Sequence, residues 1–231
     1  YMGKPPISVR WIDVNKGDDA NPEYRSRLVA REIRRFGEEP IFAPTPPLES
    51  LRTILSFAAR NLPGRPVHVR DPVSERRTQI SFVDIKRAYL CAKTDPEDPT
   101  YVGYPPEHPW HKDGQSCALL LKHMYGTRRA GDGWHVEIST TLTEKMCFTK
   151  GDASACIFRH PEREIECSIH GDDLSAAGPK DPLDWYKAEL QKHHELDEGA
   201  RLGPGPKDTK ESKMLNRIVR WRPTQDKQNN S

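Results

Sequence analysis

Spacing of the apolar residues divides the chain into a few well-marked elements separated by proline-rich breaks. Tyr24-Arg25-Ser26-Arg27-Leu28-Val29-Ala30 reads as a strand, with Arg25 and Arg27 two residues apart and so on one face. Leu48, Leu51, Ile54, Leu55 and Ala58 recur at helical spacing after Pro46-Pro47, a good helix start. Ile80-Ser81-Phe82-Val83-Asp84-Ile85 is a short apolar run expected to form a buried strand. Trp134, Ile138 and Leu142 step by four and predict a helix over 132–146. Strands are expected near 155–158 and 165–170, followed by Gly171-Asp172-Asp173 and the short run 174–177. A third helix fits 182–194, with Asp181 as its cap and Pro182 at its start, and a last strand fits 218–221. The order strand, helix, strand, strand, helix predicts an α+β fold. Its sheet is expected to be an antiparallel, ferredoxin-like split βαβ with helices on one face.

Pro-rich segments at 40–47, 96–109 and 203–206 interrupt this pattern, because proline fixes φ and lacks an N–H donor. Among 231 residues, 36 basic and 34 acidic ones leave a net charge of only +2. Compositional disorder needs a high net charge, so a loop-rich globular body with a thin core is expected, as one large domain or two small ones. Residues 1–80 hold 14 Lys and Arg against 10 Asp and Glu, and the remainder 22 against 24. A basic first third beside a slightly acidic remainder suits a chain that grips a polyanion with one part and holds cations with another. No apolar stretch approaches the ~18 residues of a membrane span, and the start carries no signal-peptide core. The five cysteines are scattered and never spaced C-x-x-C, which argues against a disulfide framework and a structural zinc site. A soluble, cytoplasmic chain without a membrane partner is expected. From its abrupt start and polar tail, 223–231, which is expected to be disordered, a piece of something longer is expected.

The candidate chemistry lies in the carboxylates. Asp84 sits inside an apolar run, where an unpaired carboxylate is costly to bury. Asp172 and Asp173 follow another apolar run, after a glycine that permits a tight turn. Each has an ordinary reading, Asp84 as a cap for the following segment and Gly-Asp-Asp as a hairpin turn. Two such sites, 88 residues apart at strand ends of one sheet, can also bring three carboxylates together, and such a set needs cations. Mg2+ prefers carboxylates with substrate phosphates, which points to phosphoryl transfer.

Phe82-Val83-Asp84-Ile85-Lys86-Arg87-Ala88-Tyr89 and His170-Gly171-Asp172-Asp173-Leu174 resemble the two aspartate motifs of reverse transcriptases. Arg25-Ser26-Arg27-Leu28-Val29-Ala30, Ala43-Pro44-Thr45, Cys117-Ala118-Leu119-Leu120-Leu121-Lys122-His123-Met124-Tyr125-Gly126-Thr127 and Trp134 resemble landmarks of the copia-type retrotransposon family, in the family's order. The similarity covers roughly residues 10–222. It implies a fingers-and-palm polymerase within a Pol polyprotein, with residues 1–79 mostly fingers and 80–222 palm. A segment near 91–125 would return to the fingers.

The resemblance further implies that Asp84, Asp172 and Asp173 form a catalytic metal site for two Mg2+ ions, with Mn2+ as a substitute and Asp84 and Asp172 as the main ligands. Tyr89 would lie beneath the incoming sugar and favour deoxynucleotides. Arg27, with Arg25 beside it and Lys16 in support, would hold the triphosphate, a task suited to a bidentate guanidinium. Tyr125, Gly126 and Arg129 would meet the template and primer. The implied activity is RNA-directed DNA polymerisation, adding deoxynucleoside triphosphates to a primer on an RNA or DNA template. Thumb, ribonuclease H and integrase domains outside this chain would be its partners, in a cytoplasmic virus-like particle.

Departures and ordinary readings stand beside these roles. Arg129 occupies a position where common members of the family carry Gln, and His170 one where many carry Tyr or an apolar residue. Tyr89 also fits a core aromatic, Arg25 and Arg27 a solvated strand edge, and His170 a packed imidazole. His108, His111, Cys117 and His123 lack ligand-pair spacing for zinc. Arg31, Arg34 and Arg35 suit either phosphate contact or solvent, and His193 and His194 suit a helix C-terminal dipole. A decayed or co-opted fragment that binds nucleic acid without polymerising is the alternative function. A small phosphotransferase with no template is a third.

Overall fold

The computed structural model describes residues 5–34, 36, 37, 41, 46, 48–59, 78–113, 116–197 and 199–222. The expectations for the tail 223–231 and for Arg35 lie outside these residues. The chain forms two compact units, residues 1–43 with 87–138 and residues 44–86 with 139–231.

The first unit is built on a hairpin of β1 (Val9–Asn15) and β2 (Tyr24–Ala30), paired antiparallel from Val9↔Ala30 to Asn15↔Tyr24. Side chains close its turn. Asn15 Oδ1 accepts from the amides of Gly17 and Glu23 at 3.0 and 2.8 Å, and Asp18 Oδ1 from Ala20 and Asn21 at 3.0 and 2.7 Å. Asn and Asp side chains substitute for backbone acceptors in this way. The hairpin is exposed except toward Ala30, whose amide donates to Tyr125 O at 2.8 Å. β4 (Tyr101–Val102) and β5 (Ala118–Leu119) pair beside it and are too short to leave a period in the sequence.

The second unit holds the larger sheet. Its strands are β3 (Gln79–Ile85), β6 (Thr149–Lys150), β7 (Ile157–His160), β8 (Ile165–His170), β9 (Asp173–Gly178) and β10 (Leu196–Asp197). They run in the order β10-β3-β9-β8-β7-β6 with every neighbour antiparallel, and β11 (Arg201–Leu202) also pairs with β3. β12 (Glu211–Met214) and β13 (Arg217–Arg220) form a separate hairpin through Leu215-Asn216, both at positive φ as type I′ turns require.

Burial of β3 on both faces explains its continuous apolar run. Residues opposed across a ladder share a face, so Ile80, Phe82 and Ala177 form one surface. The helix α1 (Leu48–Ala59) packs there through Leu51, Ile54 and Ala58, with Leu202 and Met214 completing the cluster. Cys167 pairs with Ala176 and therefore lies on the other face, where its Sγ is 3.2 Å from the Tyr186 hydroxyl of α3 (Lys180–Gln191). Full burial pushes the Cys167 thiol up to about 12. α1, which lies outside the predicted strand-helix-strand-strand-helix run, and α3 cover opposite faces, because strands apolar on both sides need cover on both.

Two helix ends also differ from expectation. The helix read from the Trp134, Ile138 and Leu142 period is α2 (Ala130–Thr140), which widens after Thr140 into a π turn over Thr141–Lys145. The Met146 amide donates to Thr141 O at 3.1 Å, so the apolar period outlasts the regular helix and Leu142 stays buried. At α3 the cap is Pro179, with no side-chain cap bond, and Asp181 and Pro182 fall within the first turn. Proline is tolerated there because the first amides of a helix have no intrahelical acceptor.

Candidate active site

The sheet brings two of the three marked aspartates face to face. Asp84, next to last in β3, is the ladder partner of Asp173, the first residue of β9. Opposed Cβ atoms of antiparallel strands lie ~4.5–5.5 Å apart, so both half-buried carboxylates occupy one face. Gly171-Asp172 is a two-residue loop joining His170 to its partner Asp173, with Gly171 at φ +64°. A positive φ at the first loop position is what a primed hairpin turn demands. The ordinary-turn reading therefore holds for the backbone, and the same turn sets Asp173 opposite Asp84. The exposed Asp172 is tied to the end of β3 through its carbonyl, which accepts from the Ile85 amide at 2.9 Å.

Asp173 carries an electrostatic signature of its place at the strand end. Burial pushes the Asp173 carboxyl above its ordinary value, the Asp172 charge adds to the shift, and His170 opposes it. An acid raised in the fold destabilises once ionised: this cost is absent below the ordinary carboxylate range and complete above the raised value. Asp173→Asn is therefore expected to raise Tm at pH 7 by a few degrees, about 2–4 °C for each 1 kcal/mol in a chain of this size. The gain should vanish in melts at acid pH, where wild-type Asp173 is already protonated.

Among the described residues, no group of three or more His, Cys, Asp or Glu side chains is set to enclose a metal ion unaided. Mg2+ does not require such a cage, since it binds through one or two carboxylates plus substrate phosphates and keeps several waters. Asp84 and Asp173 opposed across one ladder supply two carboxylates as hard oxygen donors, with Asp172 adjoining. The donor set fits a divalent cation completed by a phosphate-bearing substrate.

One neighbour of this pair left no motif in the sequence. Asp197 of β10 is the ladder partner of Asp84 on the side away from Asp173. Lys86 Nζ lies 3.1 Å from Asp197 Oδ1 and 3.2 Å from Glu195 Oε1. Those two bonds, Asp197's first, hold the Lys86 ammonium above its ordinary value. The alternation Glu195-Leu196-Asp197 was the available signal, a polar-apolar-polar period just beyond a helix.

The remaining candidates lie in the first unit, where three of them form one cluster. The Arg27 guanidinium lies 5.2 Å from the Tyr125 ring centroid, and Tyr89 meets Tyr125 edge to face at 5.0 Å. Arg25 shares the Arg27 face two residues nearer the hairpin tip, opposite Val14. Arg129 forms an exposed ion pair with Asp98 at 3.1 Å. Gly126 has φ +83°, and a Cβ on it would strike Ala30 O. The end of β2 thus requires glycine at 126 without any template.

His108, His111 and His123, which lack ligand-pair spacing, take part in local packing and hydrogen bonding. His111 Nδ1 is 2.7 Å from Tyr104 O, His108 stacks on Tyr104 at 4.3 Å, and His123 is buried. His194 corrects the helix-dipole reading. Burial, aided by the Lys145 and His193 charges, pushes it down to about 4, so it is neutral at pH 7, with Nε2 3.2 Å from Thr141 Oγ1.

Comparison with known proteins gives this arrangement its context. The family model described as reverse transcriptase (RNA-dependent DNA polymerase) matches residues 2–203. The chain is similar to the Retrovirus-related Pol polyprotein from transposon TNT 1-94 of Nicotiana tabacum, 24% identical over 211 residues, 87% of this chain. It is also similar to the Retrovirus-related Pol polyprotein from transposon RE2 of Arabidopsis thaliana, 25% identical over 185 residues, 75% of this chain. It spans 14% and 12% of the lengths of these two relatives. With the aspartate motifs in family order and the match running through nearly all of the sequence, the chain belongs to the reverse transcriptase (RNA-dependent DNA polymerase) family, of the copia type that its landmarks resemble.

Proposed function

We propose that this chain is the polymerase portion of a copia-type Pol polyprotein, an RNA-directed DNA polymerase that adds deoxynucleotides to a primer. The observation that carries the reading is the Asp84↔Asp173 register in a chain of this family. Two further features support a palm and fingers. The order β10-β3-β9-β8, with α2 and α3 in the two crossovers, is that of a split βαβ sheet. The first unit gathers residues 1–43 and 87–138, as fingers with a returning segment would, while α1 groups with the sheet.

In this reading Asp84, Asp172 and Asp173 hold Mg2+ ions. When bound, these neutralise the triphosphate and make the primer 3′-hydroxyl a better nucleophile. Arg27 binds phosphate oxygens of the incoming nucleotide, with Arg25 next along its face. Tyr125, beneath the Arg27 guanidinium, fixes its direction, and Tyr89 packs on Tyr125 and bars a 2′-hydroxyl. Gly126 and Arg129 adjoin the template, Arg129 exchanging Asp98 for a phosphate. Partners are an RNA or DNA template with its primer, deoxynucleoside triphosphates, and the thumb, ribonuclease H and integrase domains of the polyprotein. The setting is a cytoplasmic virus-like particle. No helix among the described residues is long and apolar enough to cross a membrane.

The test is incorporation on an RNA template of defined sequence. The added deoxynucleotide should follow the template base and require a primer, whereas primer-independent triphosphate turnover would contradict the reading. In the same assay Tyr89→Ala is expected to reduce the preference for deoxy- over ribonucleotides by at least about tenfold, since a steric barrier at the sugar is removed. Unchanged preference would remove Tyr89 from the sugar site.

A further inference from the structure

Asp84 is flanked on both sides. Asp173 stands opposite it on β9 and Asp197 opposite it on β10, so three carboxylates form a row across adjacent strands on one face. The backbone already favours one flank: the Ile85 amide bonds toward β9 and the Lys86 amide toward β10, so Asp84 opposes Asp173 in the closer, non-hydrogen-bonded kind of pair and Asp197 in the wider, hydrogen-bonded kind. Lys86 adds a second difference. Two residues beyond Asp84, it projects to the same face, and its ammonium binds Asp197 Oδ1 at 3.1 Å and Glu195 Oε1 at 3.2 Å. The Lys86 amide donates to Glu195 O at 2.9 Å, which aligns the strand ends and keeps both acidic side chains within reach. The Asp173 side has no lysine at the equivalent place, and its ladder neighbour on β8 is His170.

We propose that Lys86 is a positioning residue for the carboxylate site: by engaging Asp197 and Glu195 it keeps Asp197 out of the cation's ligand set and leaves Asp84 to act with Asp173 and Asp172. The inference deepens the metal reading of Asp84 and rests on it. Lys86 and its two partners are all substantially exposed, 37%, 54% and 58% for the side chains, so the ion pairs add little to stability. Their effect is on charge and direction beside Asp84. Without Lys86, Asp197 is an uncompensated carboxylate next to the site and free to join it. An added protein carboxylate would bind the cation more tightly and occupy positions that Mg2+ reserves for substrate phosphates.

The experiment uses the full chain and Mn2+ alone as probe, with free Mn2+ read by electron paramagnetic resonance, alongside primer extension in Mg2+. Partners that orient metal ligands typically change affinity or activity 10–100-fold when removed. Lys86→Met is therefore expected to bind Mn2+ about tenfold more tightly and to extend primers about tenfold more slowly. Adding Asp197→Asn to it should restore both values toward wild type, and Lys86→Arg, which keeps the charge, should behave as wild type. Wild-type Mn2+ affinity in Lys86→Met, with binding lost in Asp84→Asn, would overturn this inference and leave the metal reading standing. Additive effects of Lys86→Met and Asp197→Asn would also overturn it. Undiminished binding in Asp84→Asn would overturn the metal reading and this inference with it.

Discussion

Replacement of Asp84 by Asn is expected to lower primer extension by about 10³-fold or more while the protein stays folded and bound to nucleic acid. Metal-borne charge stabilisation in phosphoryl transfer is worth several kcal/mol, and each 1.36 kcal/mol of barrier is a factor of ten. Asp84 holds the middle place in the row, with Asp173 on one side and Asp197 on the other. Neither neighbour can replace it without moving a strand. Asn has nearly the same shape, so β3 keeps its packing. Tm should therefore be little changed. Steady-state extension and a thermal melt on the same preparation check this, and a parallel fall in both would assign Asp84 a structural role instead.

Gly126→Ala is expected to act through stability. The residue adopts φ +83°, and an added Cβ would strike Ala30 O at the end of β2. The same contact zone contains the Ala30 amide bond to Tyr125 O and the Glu32 amide bond to Gly126 O at 3.3 Å, so the new methyl can be accommodated only by separating these segments. A left-handed φ costs a non-glycine residue ~1 kcal/mol or more, and overpacking typically adds ~1–3 kcal/mol. For a chain of this size, ~3 kcal/mol corresponds to a fall in Tm of roughly 6–12 °C. Calorimetry or a dye melt would show it. A variant that keeps its wild-type Tm and loses only template affinity would mean that Gly126 serves the nucleic acid rather than the fold.

The contrast between these two positions shows which features were legible in the sequence. β3 and β8 are legible because apolar residues cluster where burial is deepest, β2 only through its apolar end at Leu28, Val29 and Ala30, and α1 because its apolar stripe has a helical period. β1 is not legible, being mostly exposed, with Ile12 breaking its alternation. Which face α1 would cover was not readable, since β3 is apolar on both. The three aspartates were marked by type and context, but the opposition of Asp84 to Asp173 depends on a two-residue turn and on register, which a one-residue slip would reverse. Lys86, Glu195 and Asp197 were invisible as a group, for they lie far apart in the chain and meet only because β10 returns to pair with β3. At Gly126 the glycine itself signals a close approach, and the structure supplies a protein partner for it in Ala30.

Extension of oligo(dT) on poly(rA) with Mg2+, comparing the wild-type chain with Asp172→Asn, tests the central claim most directly. The account predicts extension by the wild-type chain and none by the variant, at equal Tm and equal affinity for the duplex. Equal extension by both would contradict the carboxylate site. Absence of extension by a folded, duplex-bound wild-type chain would contradict the polymerase reading and favour a nucleic-acid-binding fragment.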